Sequence, residues 1–365
     1  MAAVSTVGNS GDADIDGLLS GLRWTSGDLT YSFPTQTSAY SYFVPGFQAF
    51  NTAQQTATET AVANYAAVAN LTFTEISGSG TLRFAESSDP ETAYAYYPDS
   101  SEIGGDAFFN PFDYDAPDQG TYAYLTVLHE MGHALGLDHG QDGTGALPTD
   151  HDSLEYSVMT YRSFVGADLN GYTAAEGSYP LTLMLADIAA LQYMYGANYA
   201  TNAGNSTYEW DPSTGEWTIN GVSQGQSTDN TVFMTVWDGG GTDTYDFSSY
   251  SSDLKVDLRP GEWTTTSSTQ LANLGMGEFA RGNIANAWLY QDDTASLIEN
   301  AIGGSGNDLL AGNETTNVLK GGNGNDSLNG LAGNDTIWGG QGNDTCYFLV
   351  DSTACTVTYD ATAQA

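Results

Sequence analysis

Between Gly303 and Tyr347 the chain repeats every nine residues, and this period restricts its fold more than any other feature. The copies read Gly-Gly-Ser-Gly-Asn-Asp-Leu-Leu-Ala (303–311), Gly-Asn-Glu-Thr-Thr-Asn-Val-Leu-Lys (312–320), Gly-Gly-Asn-Gly-Asn-Asp-Ser-Leu-Asn (321–329), Gly-Leu-Ala-Gly-Asn-Asp-Thr-Ile-Trp (330–338) and Gly-Gly-Gln-Gly-Asn-Asp-Thr-Cys-Tyr (339–347). Gly-Gly-x-Gly-x-Asp-x-apolar-x is the nonapeptide of a parallel β-roll. Leu310, Leu319, Leu328, Ile337 and Cys346 occupy the eighth position and form an inward apolar ladder. A flexible Gly-rich linker has no reason to carry that ladder.

The glycines permit tight turns and expose carbonyls, and the aspartates add charged oxygens, which together suit calcium. The expected calcium-binding residues are Gly304, Gly306 and Asp308; Gly321, Gly322, Asn323, Gly324 and Asp326; Gly333 and Asp335; and Gly339, Gly340, Gln341, Gly342 and Asp344. Successive half-turns stack, so each loop should share ions with the loop two repeats on: Asp308 with Asp326, and Asp326 with Asp344. Asn317 replaces the aspartate in the second repeat, where the site should be weaker or absent. An upstream echo, Asp238-Gly-Gly-Gly-Thr-Asp243, has the same loop chemistry and adds Asp238, Gly240, Gly241 and Asp243.

A second pattern lies far upstream. His129, Glu130, His133, Gly136 and His139 read His-Glu-x-x-His-x-x-Gly-x-x-His, and this stretch holds three of the four histidines in the chain. On a helix, residues i and i+4 share a face, so His129 and His133 can hold one metal ion together. Glu130 lies beside that face, where a general base for a metal-bound water is needed. Gly136 can end the helix in a left-handed conformation, after which the chain turns back with His139. Three neutral imidazoles that leave one open position are the donor set of a catalytic zinc. Ordinary amphipathic packing does not call for five fixed residues at this spacing.

At 365 residues two domains are expected. Helical stripes occur at 46–70 and at 180–195, and from about 120 through the histidines. Strand-like runs occur at Leu29–Phe33, Leu71–Ile76, Thr81–Ala85 and Asp106–Asn110. Residues 1 to about 20 read as polar and loosely held. Past Asn198 helical periods vanish. The fold class is therefore α+β, with a mixed domain over 1–198 and an all-β parallel β-roll over 199–365.

The net charge of −38 disfavours nucleic acid and anionic membranes as partners and attracts divalent cations. No stretch approaches a membrane span, and Met1–Leu18 has neither a basic nor an apolar signal region. Cys346 and Cys355 either close a small disulfide or remain free thiols. His151 reads as a surface residue rather than a fourth ligand.

The histidine motif followed by Ser157-Val158-Met159-Thr160-Tyr161 resembles the metzincin metalloproteases, and the nonapeptide roll narrows this to the serralysin group of secreted bacterial proteases. Further matches are Trp237–Asp243, Ile298–Asp308 and Asp187-Ile-Ala-Ala-Leu through Asn198. The resemblance implies a secreted zinc endopeptidase with one catalytic zinc and several structural calcium ions. It implies zinc ligation by His129, His133 and His139, with Glu130 as base and Met159 in a turn beneath the metal. It further implies Tyr161 as a detachable ligand that stabilises the oxyanion, and Glu299 among the calcium residues. Protein or peptide substrates, a monomer and type I export complete the expectation. Gly140 stands where the group usually has proline, and the following loop differs, so no cleavage preference carries over. Thr81–Ala85 is either the sheet edge that pairs with substrate or an interior strand. Competing readings are a calcium-dependent adhesion module, which has no need for Glu130, and a zinc hydrolase acting on a non-peptide bond.

Overall fold

The computed structural model describes residues 2–141 and 145–347. The chain divides into two compact units, one running to Asn198 and including Asn273–Glu278, the other made of Tyr199–Ala272 and the chain from Phe279 on. The outcome is a mixed helical and stranded unit followed by one built almost wholly of strands. Among the described residues no helix is long and apolar enough to cross a membrane.

The first unit is organised on a five-stranded sheet. Its strands are β1 (Asp28–Ser32), β2 (Thr72–Glu75), β3 (Leu82–Glu86), β4 (Ala93–Ala95) and β5 (Asp106–Phe109), in spatial order β2-β1-β3-β5-β4. All neighbours are parallel except β4, which runs antiparallel to β5 and forms one edge. β3 is therefore interior, flanked by β1 and β5, and cannot be the substrate-pairing edge. Its uniform burial, from Leu82 to Glu86, reflects that two-sided position.

Helix α1 (Thr52–Val68) starts later than its apolar stripe suggests. Asn51 accepts from the Gln54 backbone while Gln54 reaches back to the Asn51 N–H, a capping box that sets the boundary. Helix α2 (Tyr122–Leu135) carries the histidines, and α3 (Leu185–Tyr195) closes the unit. The N-terminal residues are not loosely held: Val4–Thr6 pairs with Leu22–Trp24, and Leu18 is fully buried.

Arg83 and Asp106 are both buried inside this sheet, joined by two bonds of 2.5 and 2.6 Å. Two further guanidinium N–H groups donate to the carbonyls of Ala39 and Glu102. Asp106→Ala would remove the buried counter-charge and leave the cation the exposed Glu102 carboxylate 3.7 Å away, and a loss of about 3–5 kcal/mol in stability is expected. Urea unfolding followed by tryptophan fluorescence measures it.

In the second unit the nonapeptides form two parallel stacks. Asn300–Ile302, Val318–Asn323 and Thr336–Gln341 stack in one, and Leu309–Ala311, Ser327–Asn329 and Thr345–Tyr347 in the other. Leu319 lies in register with Ile337, and Leu310 with Leu328 and then Cys346. Leu310, Leu319 and Leu328 are fully buried, whereas Ile337 is half-buried and Cys346 exposed. Cys355 lies outside the described residues.

Candidate metal centre

Helix α2 begins at Thr121, whose hydroxyl accepts the Tyr124 backbone N–H at 3.1 Å. It ends at Gly136, with φ of 107°, which allows the Gly136 N–H to reach His133 O and the Leu137 N–H to reach Gly132 O. The chain then reverses and brings His139 back over the helix. A Cβ on Gly136 would lie 2.2 Å from Leu22 O, so the turn leaves no room for a side chain. Gly136→Ala is expected to cost at least about 1–3 kcal/mol and to displace His139. Thermal unfolding and zinc content together check this.

The three histidines meet through Nε2. The separations are 3.1 Å for His129–His133, 2.9 Å for His133–His139 and 3.2 Å for His129–His139. His129 Nδ1 bonds Val158 O at 2.8 Å, and His133 Nδ1 bonds Leu137 O at 2.9 Å. A carbonyl only accepts, so both Nδ1 atoms carry the proton and both Nε2 atoms present lone pairs. Burial, reinforced by the neighbouring imidazoles, pushes His133 down to about 3 and His129 well below its usual value. Converging lone pairs repel one another unless a cation joins them. Nitrogens about 2.0–2.1 Å from a tetrahedral zinc sit about 3.3 Å apart, close to the separations here, so the residues fit zinc. Among the described residues this is the group that brings three such ligand atoms together.

Glu130 is buried beside them, with Oε2 lacking any hydrogen-bond partner. Burial pushes its carboxyl up to about 8, opposed by the Ala95 backbone N–H of edge strand β4. A divalent cation nearby would restore the ionised form. The Tyr161 hydroxyl lies 2.9 Å from His139 Nε2, with its ring stacked on His129. Met159 is fully buried beneath the helix, where a Cβ on Gly132 would fall 2.5 Å from its sulfur. His151 stays apart from the triad, paired to Asp14 at 2.7 Å and stacked on Tyr156.

Two supporting side chains were not legible as such in the sequence. Asp187, near the start of α3, accepts from Ser157 Oγ at 2.6 Å and from the Val158 N–H at 2.9 Å, fixing the carbonyl that orients His129. Burial raises its carboxyl to about 7 against these bonds. Tyr97 is edge-on to His133, with ring centroids 5.4 Å apart. A cleft of about 520 Å³ opens beside Glu130, lined by Ala93, Tyr122, Leu125, Leu169, Tyr172 and Tyr179.

The roll's acidic residues come together in pairs at the expected offset. Asp308 N–H donates to Asp326 Oδ1 at 2.8 Å, and Asp326 N–H to Asp344 Oδ1 at 3.1 Å. Cβ atoms on Gly303, Gly321 and Gly339 would lie 2.6, 2.3 and 2.2 Å from Oδ2 of Asp308, Asp326 and Asp344. The Gly321 and Gly339 carbonyls approach the first two of those points within 2.3 and 2.4 Å. These cradles of carboxylate and carbonyl oxygen leave Asp326 Oδ2 buried without a partner, which fits a cation. Upstream, Asp243 N–H bonds Glu299 Oε2 at 2.7 Å, Asp238 takes bonds from Tyr208 and Gly240, and Asp243 Oδ2 has no partner. In the second repeat the Asn317 amide donates to Glu299 O and Asn313 Oδ1, so a neutral N–H already serves the oxygens there. Asp335 faces that amide segment rather than a second acid, accepting the Asn317 N–H at 3.0 Å.

Residues 23–150 match the family described as Matrixin, and residues 197–364 the family described as Peptidase M10 serralysin C terminal. The chain is 36% identical over 315 residues to Metallopeptidase AprA of Pseudomonas marginalis, covering 80% of this chain and 61% of that relative. It is 34% identical over 325 residues to Serralysin of Proteus mirabilis, covering 80% and 60%. With Serralysin A of Dickeya chrysanthemi the figures are 35% over 308 residues, 78% and 58%. The chain thus spans about 60% of the length of these curated relatives.

Proposed function

The chain belongs to the serralysin-type M10 metallopeptidases, and from that premise we propose that it is a secreted, zinc-dependent, calcium-stabilised endopeptidase. The observation that carries this is the meeting of three histidine Nε2 atoms within 3.2 Å beside the unpartnered carboxylate oxygen of Glu130. In this reading residues 1–198 are the catalytic domain and 199–365 the calcium-binding roll.

His129, His133 and His139 hold the zinc, which when bound polarises the scissile carbonyl and acidifies a water. Glu130 takes the proton of the attacking water and returns it to the departing amine. The Ala95 backbone N–H favours the ionised form of that carboxylate. The Tyr161 hydroxyl donates to the developing oxyanion. Edge strand β4 offers its free side to an extended substrate backbone, an augmentation that aligns the peptide across Glu130. The apolar, tyrosine-lined cleft accepts a bulky apolar side chain next to the cut. In the roll, Asp238, Asp243 and Glu299 and the stacked Asp308, Asp326 and Asp344 hold calcium, neutralising charge that folding otherwise concentrates.

Tyr161→Phe keeps the ring and removes the donor. It is expected to lower kcat about a hundredfold with little change in KM, measured on a quenched fluorescent peptide. Casein digested in calcium, with new N-termini mapped by mass spectrometry, tests the reading as a whole. Internal cuts beside bulky apolar residues are expected. Intact casein in the presence of folded, zinc-loaded protein contradicts it.

A further inference from the structure

We propose that Tyr97 is a positioning residue for the third metal-binding imidazole, acting through Asp138; the inference rests on the zinc reading above. The Tyr97 hydroxyl donates to Asp138 Oδ1 at 2.7 Å. The same oxygen accepts the backbone N–H of His139 at 2.8 Å. One phenol thus fixes a half-buried carboxylate, and that carboxylate fixes the peptide from which His139 projects. The Tyr97 ring stands edge-on to His133, 5.4 Å between centroids and at 90°, so the side chain also bears on a ligand of the helix.

The anchor is itself held. The Tyr96 N–H donates to Asp106 O at 2.9 Å and the Gly105 N–H to Tyr96 O at 3.1 Å, which ties Tyr97 to the sheet. Asp138 is tied from the other side, its N–H donating to Leu18 O at 2.8 Å. His139 follows the end of α2 and has no helical frame of its own. An anchored neighbour is what converts a turn into a preorganised ligand. Without the phenol the Asp138 carboxylate is free to rotate toward water, and the His139 peptide loses its fixed acceptor.

The test compares full chains in excess calcium: wild type, Tyr97→Phe, Asp138→Ala and the double variant. Zinc affinity is read by competition with a fluorescent zinc indicator. Each single variant is expected to raise the zinc dissociation constant about tenfold. The double variant should be no weaker than the weaker single one, because the hydroxyl acts only through the carboxylate. The unfolding midpoint of zinc-free Tyr97→Phe should match wild type, since the ring and its packing remain. Wild-type affinity in Tyr97→Phe, or additive losses in the double variant, overturns the proposal. Asp138→Asn keeps an oxygen that accepts both bonds, so it should retain wild-type affinity; an Asn variant as weak as the Ala variant also overturns it. Stoichiometric zinc in the wild type with unchanged variants sinks this inference alone. A wild type that binds no zinc sinks the reading beneath it as well.

Discussion

Glu130→Gln is expected to lower kcat/KM for peptide hydrolysis by about 10²–10⁴-fold, the range a positioned general base contributes. The substitution keeps volume and shape, so the cleft lined by His129 and Tyr161 should be unaltered. The loss should fall on kcat, because the proton is transferred in the transition state and not on binding. Stability should move the other way. The metal-free carboxyl is pushed up to about 8 by burial, above its unfolded value. Below the unfolded value it imposes no penalty, and as pH rises toward about 8 it weakens the fold increasingly. A neutral amide escapes that penalty, so the zinc-free variant at pH 7.5 should melt at or above the wild-type temperature. Activity lost together with stability would assign Glu130 a structural role instead.

Removal of calcium is expected to unfold the second unit at neutral pH. The roll places Asp308 against Asp326 and Asp326 against Asp344, and Asp243 against Glu299, with few cations nearby. Burial pushes Asp238 and Glu299 up to about 7 and Asp326 up to about 6, and raises Asp243 and Asp308. These folded values exceed the unfolded ones, so the calcium-free roll binds more protons than the unfolded chain does. Its stability is therefore fully present below the unfolded carboxylate values of about 3.9–4.3 and is lost as pH rises through about 6–7. Calcium bound at these carboxylates would substitute for those protons and abolish the dependence. Far-ultraviolet circular dichroism across pH 4–8, with a calcium chelator and with calcium, measures both effects. A chelated protein that keeps its β signal at pH 8, or that folds less well at pH 4 than at pH 7, contradicts the account.

How much of this was legible depended on whether a contact is local in sequence. The His129–His133 spacing, the Gly136 stop and the nonapeptide ladder are short-range periodicities, and each is visible as residues at fixed offsets. The offset of eighteen between Asp308 and Asp326 followed from the same repeat. The supporting groups are different in kind. Asp187 reaches Ser157 and Val158 across about thirty residues, and Tyr97 reaches Asp138 across forty-one. No local pattern marks such partners; one tyrosine among 23 carries no signal until the fold brings it to the site.

The sheet edge stayed open between two readings for a related reason. Leu82–Glu86 and Ala93–Ala95 are both short strands, and only pairing order decides which is interior and which forms the edge. The N-terminal residues read as loose because they lack periodicity. Their order comes from partners far along the chain, such as the Ser20 N–H on Gly136 O at 3.1 Å. At Asn317 a single residue identity signals a different contact: an amide where its neighbours have a carboxylate brings its own donor, and it serves Glu299 O and Asn313 Oδ1.

The central claim is that one zinc, held by His129, His133 and His139, makes this chain a peptidase. The most direct measurement is hydrolysis of a quenched fluorescent peptide by protein stripped of zinc but kept in calcium, then titrated with zinc. The account predicts no hydrolysis at the start, a linear rise, and a plateau at one zinc per chain, with the circular dichroism spectrum constant throughout. Full hydrolysis before zinc is added, or none after one equivalent has bound, would contradict it.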